Sequence, residues 1–309
     1  MNKKEKNEGK PPWKDRDQLW KTVFENIFED FLRFVYPDAD QHFDFSKGFE
    51  FLDKELPEMK PEPGKRSDSR RADKLVKVYQ RNGKEEWLLV HVEVQGYHDA
   101  GFAQRMFKYF TRILDKHGHP VTVIVVFTGR ERSMPDNYQY ISLDTVVSFK
   151  YKAIHILDFD DRLLLIDENP FAMIVYAARQ VLLRGKDVEK LRLQHKLDIV
   201  RILHERGMFS DPKLRAVLVF AKNYITFKSP ELDRIFAVRS DLITGIKNSM
   251  DIQEYLAERA RKVALEEAQE KEERIVSNLV TSTSLTDEQI ASLAEVPVTL
   301  VKKIRRKTK

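Results

Sequence analysis

Residues 73–95, DKLVKVYQRNGKEEWLLVHVEVQ, decide how this chain is read. Apolar and polar residues alternate on both sides of Asn82-Gly83, and alternation with period two marks a half-buried strand. Asn-Gly between two such runs is a strong hairpin signal. Residues 74–79 form the first strand, and Trp87 to Gln95 the second. In the second, Val90, Val92 and Val94 share one face, and His91, Glu93 and Gln95 share the other. So regular an apolar face requires a core behind it. With the turn centred near 82–83, Glu93 pairs near residue 72. Asp73 and Glu93 then stand on neighbouring strands at the same end of the hairpin. One carboxylate on an exposed strand is usually just a solvated side chain. Two of them with a backbone carbonyl make a hard oxygen site suited to Mg²⁺ or Mn²⁺. Such an ion activates bound water and stabilises charge on a phosphodiester.

Working outward, residues 1–16 read as a flexible lead-in. From Asp17 to Phe34 the residues Leu19, Val23, Ile27, Phe31 and Phe34 recur at three- and four-residue spacing. Trp20, Phe24 and Phe28 widen the stripe, which predicts an amphipathic helix closed by Pro37. Residues 57–72 hold three prolines and many charges, so they read as an exposed loop. Downstream, Asp99 caps a helix from Ala100 to Lys116 that Gly118 ends. Residues 121–127 are a β-branched run that fits a buried central strand. Two more strand candidates lie around 138–149 and 153–157. The order of elements predicts an α/β or α+β domain over 17–160.

The second half is patterned for helices. From Arg162 to Ser277 nearly every segment has helical spacing, with Gly207 stopping one helix and Ser229-Pro230 starting another. Residues 251–276 read as a long charged helix with a solvated face. The division therefore runs 17–160, an all-α region 161–280, and a basic tail 281–309. In the tail, Thr286 and Gln289 form a capping box, and Pro297 opens a second short helix.

The 309 residues are 42% hydrophobic and 33% charged, which is enough apolar matter for a core. The absence of cysteine excludes disulfides, thiolate metal sites and cysteine nucleophiles. No apolar run approaches the roughly 18 residues of a membrane helix. The N-terminus lacks the apolar segment of a secretory signal. These features predict a cytoplasmic protein with no membrane partner. An excess of 54 basic over 49 acidic residues permits nucleic-acid binding without requiring it.

Three phrases together carry a resemblance: Asp73-Lys74-Leu75-Val76-Lys77-Val78, then His91-Val92-Glu93-Val94-Gln95-Gly96, then Arg105-Met106-Phe107-Lys108-Tyr109. With Phe49 to Leu56 upstream, they resemble the recombination-promoting nuclease / putative transposase family (YhgA-like), a branch of the PD-(D/E)XK nuclease superfamily. The resemblance covers roughly residues 17–160. It implies a restriction-endonuclease-like mixed sheet flanked by helices, which the all-α half then follows. It implies a Mg²⁺- or Mn²⁺-dependent endonuclease acting on DNA in recombination or transposition. Asp73 and Glu93 match the metal ligands, and the Val94 carbonyl is the expected third. Gln95 stands where the superfamily usually has lysine and would position the attacking water. Either Glu25 or Glu29 would be the acid of the first helix. Ala72 replaces the proline of the motif name. Arg105 would contact a phosphate or orient a carboxylate, and Arg112 follows on the same helical stripe. The tail resembles the short helix-turn-helix-like tails of this group, with Lys302, Lys303, Arg305 and Arg306 as phosphate contacts. Because Gln brings no positive charge, a second reading stands beside the first: a weak or inactive nuclease fold serving as a DNA-binding or assembly module. A homo-oligomer is compatible with either.

Overall fold

The computed structural model describes residues 16–52, 71–82, 85–93, 101–131, 135–208, 210–245, 272–283 and 285–307. At 17, 71–73, 85–93, 306 and 307 it is the backbone alone that is described. The chain divides into two compact units, the first ending at Lys247. In chain order the first unit contains α1 (Arg16–Val35), a one-turn α2 (Ala39–His42), β1 (Glu50–Phe51), β2 (Arg71–Tyr79), β3 (Glu85–Glu93), α3 (Phe102–His117) and β4 (Val121–Phe127). After these come β5 (Asn137–Ser142), β6 (Thr145–Lys150), β7 (Lys152–His155), α4 (Asp161–Ile166), α5 (Pro170–Gln180), α6 (Val188–Glu205), α7 (Pro212–Tyr224) and α8 (Pro230–Thr244).

The main sheet has the order β1-β2-β3-β4-β7. β1, β2 and β3 pair antiparallel, whereas β3, β4 and β7 run parallel. The fold is thus a mixed α/β arrangement. α3 makes the crossover between β3 and β4 and covers one face of the sheet. There Leu75, Val123, Val125 and Phe127 bury against Phe102, Met106 and Ile113. α3 ends where Gly118 takes a left-handed conformation and returns its N–H to the Leu114 carbonyl.

The run around 138–149 is not one strand of this sheet. It folds on itself as the β5–β6 hairpin, a separate two-stranded ribbon. Its turn is Leu143-Asp144, with Leu143 at φ 49°. No Asn-Gly or Gly marks it, so turn chemistry alone could not locate it. Phe149 and Tyr138 hold the ribbon on Phe107 and Phe110 of α3.

α1 lies against the other face. Its apolar stripe is wide enough to serve two neighbours, and Trp20, Phe24, Phe28, Phe31 and Leu32 are all buried. Phe28 meets Phe51 of β1 at 5.8 Å between ring centroids. Phe31 meets Phe171 of α5 at 5.0 Å, and Trp20 meets Phe220 of α7 at 5.2 Å. Polar ties reinforce the contact: the Asn169 side chain donates to the Asp30 carbonyl, and Lys213 pairs with Asp30 at 2.8 Å. The helices after residue 160 are therefore a third layer on α1. The boundary near 160 is a change of secondary structure, not the edge of a compact unit.

Among the described residues, 161–245 contain no strand. α5, α7 and α8 each begin with proline after Asn169, Asp211 and Ser229 respectively, and Gly207 with φ 79° follows α6. α5 is buried on all sides from Pro170 to Ala178, as befits a helix with no polar face. Within this layer Lys196 is 3% exposed. Its Nζ donates to the Ile225 carbonyl at 2.8 Å and lies over the rings of Phe227 and Phe236.

Among its described residues the second unit has three helices, α9 (272–282), α10 (Asp287–Ala294) and α11 (Val298–Lys307). The tail expected from 281 onward had two helices. The structure adds a third, because Val276, Leu279 and Val280 of α9 complete its core.

Two predictions test this packing. Phe31→Ala is expected to cost about 3–5 kcal/mol and to lower hydrogen-exchange protection in both β2 and α5. Protection lost from one layer alone would show that α1 does not join them. Burial pulls the Lys196 pKa down from 10.5 to about 7. Between those values the unfolded chain holds a proton that the folded one lacks, so stability rises with pH from about 7 to 10.5. Denaturant melts of wild type and Lys196→Met across that range should show this slope in wild type and a flatter profile in the variant.

Candidate active site

Five residues separate Tyr79 from Glu85, and that odd number sets the register. Asp73 pairs with His91, and Arg71 with Glu93. A turn centred on Asn82-Gly83 would have paired Glu93 with residue 72, sending Asp73 and Glu93 to opposite faces. The observed register is one residue different. Odd-numbered positions pair with odd-numbered ones, so Asp73 and Glu93 belong to one face as diagonal neighbours. Such positions are about 7–8 Å apart between α-carbons. The side chains of Asp73 and Glu93 lie outside the described residues, as do Val94 and Gln95 altogether.

The face can be traced further. Glu93 is in register with Phe127, and Phe127 with His155. These three residues end three parallel strands, where open α/β sheets most often bind ligands. Phe127 is buried, stacks on His155 at 4.7 Å and meets the tilted ring of Phe102 of α3 at 5.3 Å. The Arg105 guanidinium lies 5.1 Å from the Phe102 ring centroid. Arg105 therefore stands over the aromatic floor beside the register row of Glu93. Its charge also reaches Tyr151, where it opposes the upward push on the phenol from burial and from Asp136. Tyr109, between the two arginines, is buried, and Arg112 is exposed two turns along α3. His155 is absent from the sequence reading. Its place in the register row of Glu93, on the far side of Phe127, depends on β7 joining the parallel strands, and no local motif announces that.

The first-helix carboxylates are elsewhere. Glu25 holds the Lys74 ammonium at 2.5 Å, and Lys74 is 1% exposed beneath α1. Alternation puts Lys74 on the face opposite Asp73, so Glu25 is not brought to the Asp73–Glu93 face. A buried ammonium needs a carboxylate, and Glu25 supplies it. Glu29 pairs with Arg33 at 2.6 Å, whose guanidinium is raised above its ordinary range chiefly by its hydrogen bond to Asp40. Lys77 shares a face with Asp73, but its Nζ is 2.7 Å from Glu50. Both lysines of β2 are therefore paired with carboxylates.

In the second unit Arg305 donates to Asp287 at 2.6 Å and to the Leu285 carbonyl at 2.9 Å. Lys302 and Lys303 are exposed, and Arg306 follows them on α11.

A cleft of about 500 Å³, lined by Tyr36, Asp38, His42, Gln80, Arg81 and Thr122 among others, opens at the closed end of the hairpin. That is the far end of the sheet from Glu93. In it the His42 imidazole is 2.8 Å from Asp38 and holds that carboxyl below its usual range. The cleft lining holds one carboxylate, Asp38, whereas the Asp73–Glu93 face carries two carboxylate positions. Among the described residues no group of three or more metal-binding side chains converges. Comparison of the chain with protein-family models, with curated proteins and with solved structures returned no match. No helix of the described residues is long and apolar enough to cross a membrane.

The Glu25–Lys74 pair makes a testable distinction. Glu25→Ala should destabilise the first unit by about 3 kcal/mol, the cost of stranding a buried charge. Glu25→Gln with Lys74→Met should recover most of that in denaturant melts. A Glu25→Ala protein of unchanged stability would show that the pair does not hold α1 on the sheet.

Proposed function

We propose that the first unit is a metal-dependent DNA endonuclease of the recombination-promoting, restriction-endonuclease-like kind, working in the cytoplasm. The observation that carries this reading is the β2–β3 register, which puts Asp73 and Glu93 on one face, Glu93 at the end of a parallel strand and Asp73 near the start of its antiparallel neighbour. Two carboxylates so related fit a hard divalent ion. Asp73 and Glu93 would hold Mg²⁺ or Mn²⁺, which when bound supplies an activated water and a counter-charge for the phosphodiester. By the resemblance, Gln95 would orient the attacking water. Arg105, over the Phe102 ring, takes a DNA phosphate by charge-assisted hydrogen bonds.

The second reading is a nuclease fold with little or no cleavage, acting as a DNA-binding or assembly module. Two observations favour it: Gln95 stands where a lysine is usual, and Glu25 is committed to Lys74.

Incubation of the purified chain with supercoiled plasmid decides between them. Nicking is expected with Mg²⁺ or Mn²⁺ and not with a chelator. Asp73→Ala and Glu93→Ala should each remove it while leaving DNA affinity nearly intact, because affinity comes mainly from Lys and Arg contacts to phosphates. No metal-dependent nicking of single-stranded, duplex or branched DNA would favour the module reading. Nicking untouched by Asp73→Ala would move the chemistry away from this face.

A further inference from the structure

The C-terminal unit supports an inference that stands apart from the cleavage chemistry. Its three helices share one core: Val276 from α9, Ile290 and Ala291 from α10, Val296 from the turn, and Val301 and Ile304 from α11. α10 opens on the capping box of Thr286 and Gln289. It closes at Glu295, which takes a left-handed conformation with φ 54° and returns its N–H to the Ala291 carbonyl. Three residues, Glu295-Val296-Pro297, lead directly into α11, and the buried Val296 pins that turn to the core. A helix, a tight turn and a second helix, braced by a third, is the helix-turn-helix arrangement.

The charge on α11 sorts by position. The helix has five basic residues and no acidic one. Arg305 is turned inward, clamping α11 to the start of α10 through Asp287 and the Leu285 carbonyl. Thr299, Lys302, Lys303 and Arg306 follow at i, i+3, i+4 and i+7, which is one helical stripe. Thr299, Lys302 and Lys303 are exposed, while Val301 and Ile304 on the other side are buried. The exposed acids among its described residues are Glu272 and Glu273 on α9, Glu288 on α10 and Glu295 in the turn, and none is on the stripe.

We propose that this unit binds duplex DNA, with α11 in the major groove and Lys302 and Lys303 on the phosphates and base edges. A helix about 10–12 Å across fits a B-form major groove about 12 Å wide. The stripe has no apolar residue with which to enter a lipid surface. Residues 272–307 contain no aromatic residue on which single-stranded bases could stack. The major groove of A-form RNA is too narrow to admit a helix.

The test uses the full chain in chelator, so that cleavage plays no part. Fluorescence anisotropy on a duplex of about three helical turns is followed against salt. Replacing both Lys302 and Lys303 with Ala should weaken binding roughly tenfold and flatten the salt slope by about 1.8, the value for two phosphate contacts. Both are exposed side chains on a helix, so folding should be unaffected, and circular dichroism checks this. Arg305→Ala should instead lower hydrogen-exchange protection across 287–304, as expected of a clamp. Unchanged affinity and salt slope in the double variant would overturn the proposal. So would equal binding of single-stranded DNA or double-stranded RNA of the same sequence. Asp73→Ala leaves this binding untouched, so failure of the nuclease reading and failure of this one are separately visible.

Discussion

The Lys74 ammonium sits under α1 with almost no access to water, and the first unit is arranged around that fact. An uncompensated charge there would cost several kcal/mol. Glu25 removes the cost by coming down from α1 at 2.5 Å, with the Phe51 ring on a further side of the ammonium. That contact fixes which face of β2 looks at α1. Strand alternation then settles the rest: if Lys74, Val76 and Val78 lie under α1, Leu75 lies under α3 and Asp73 belongs with it. A structural ion pair on one side of the sheet thus determines where the candidate chemistry stands on the other.

α1 in turn explains why the helical half does not stand alone. An ordinary surface helix buries one stripe. This one buries aromatic residues toward both the sheet and α5, and α5 has no polar face to turn to solvent. Removing the helical layer would expose Trp20, Phe24 and Phe31 together. α1 is thus held between the sheet and the helical layer, while α3 covers the other face of the sheet.

Periodicity carried the secondary structure well. α1, α3 and β4 begin and end close to where their spacing and caps place them, and Pro230 and Gly207 punctuate the helical layer as expected. What escaped has physical reasons. The β2–β3 register depends on whether the connection is even or odd, and Asn82-Gly83 suggests an even one although five residues intervene. The β5–β6 turn uses Leu143 in a left-handed conformation, which no turn propensity favours. The partner of Glu25 is 49 residues away, so no local pattern links them. In the tail, the helix that completes the C-terminal core was hidden within a longer charged run that reads as one solvated face.

The register error is instructive for the site itself. Placing two carboxylates at the same end of a hairpin is not enough, because a slip of one residue leaves them at that end and on opposite sides of the sheet. The odd connection removes this ambiguity, and the parallel partners extend the consequence. Phe127 follows Glu93 across the sheet and brings Phe102, Arg105 and His155 to the same face. A cation over an aromatic ring stands here beside a carboxylate position at the ends of parallel strands, and the proposed function asks this face to hold an anion against acidic groups. Those two demands conflict unless positive charge stands between the carboxylates and the ligand. Under the proposed reading, a divalent ion would supply that charge at the carboxylates and Arg105 would supply it beside them.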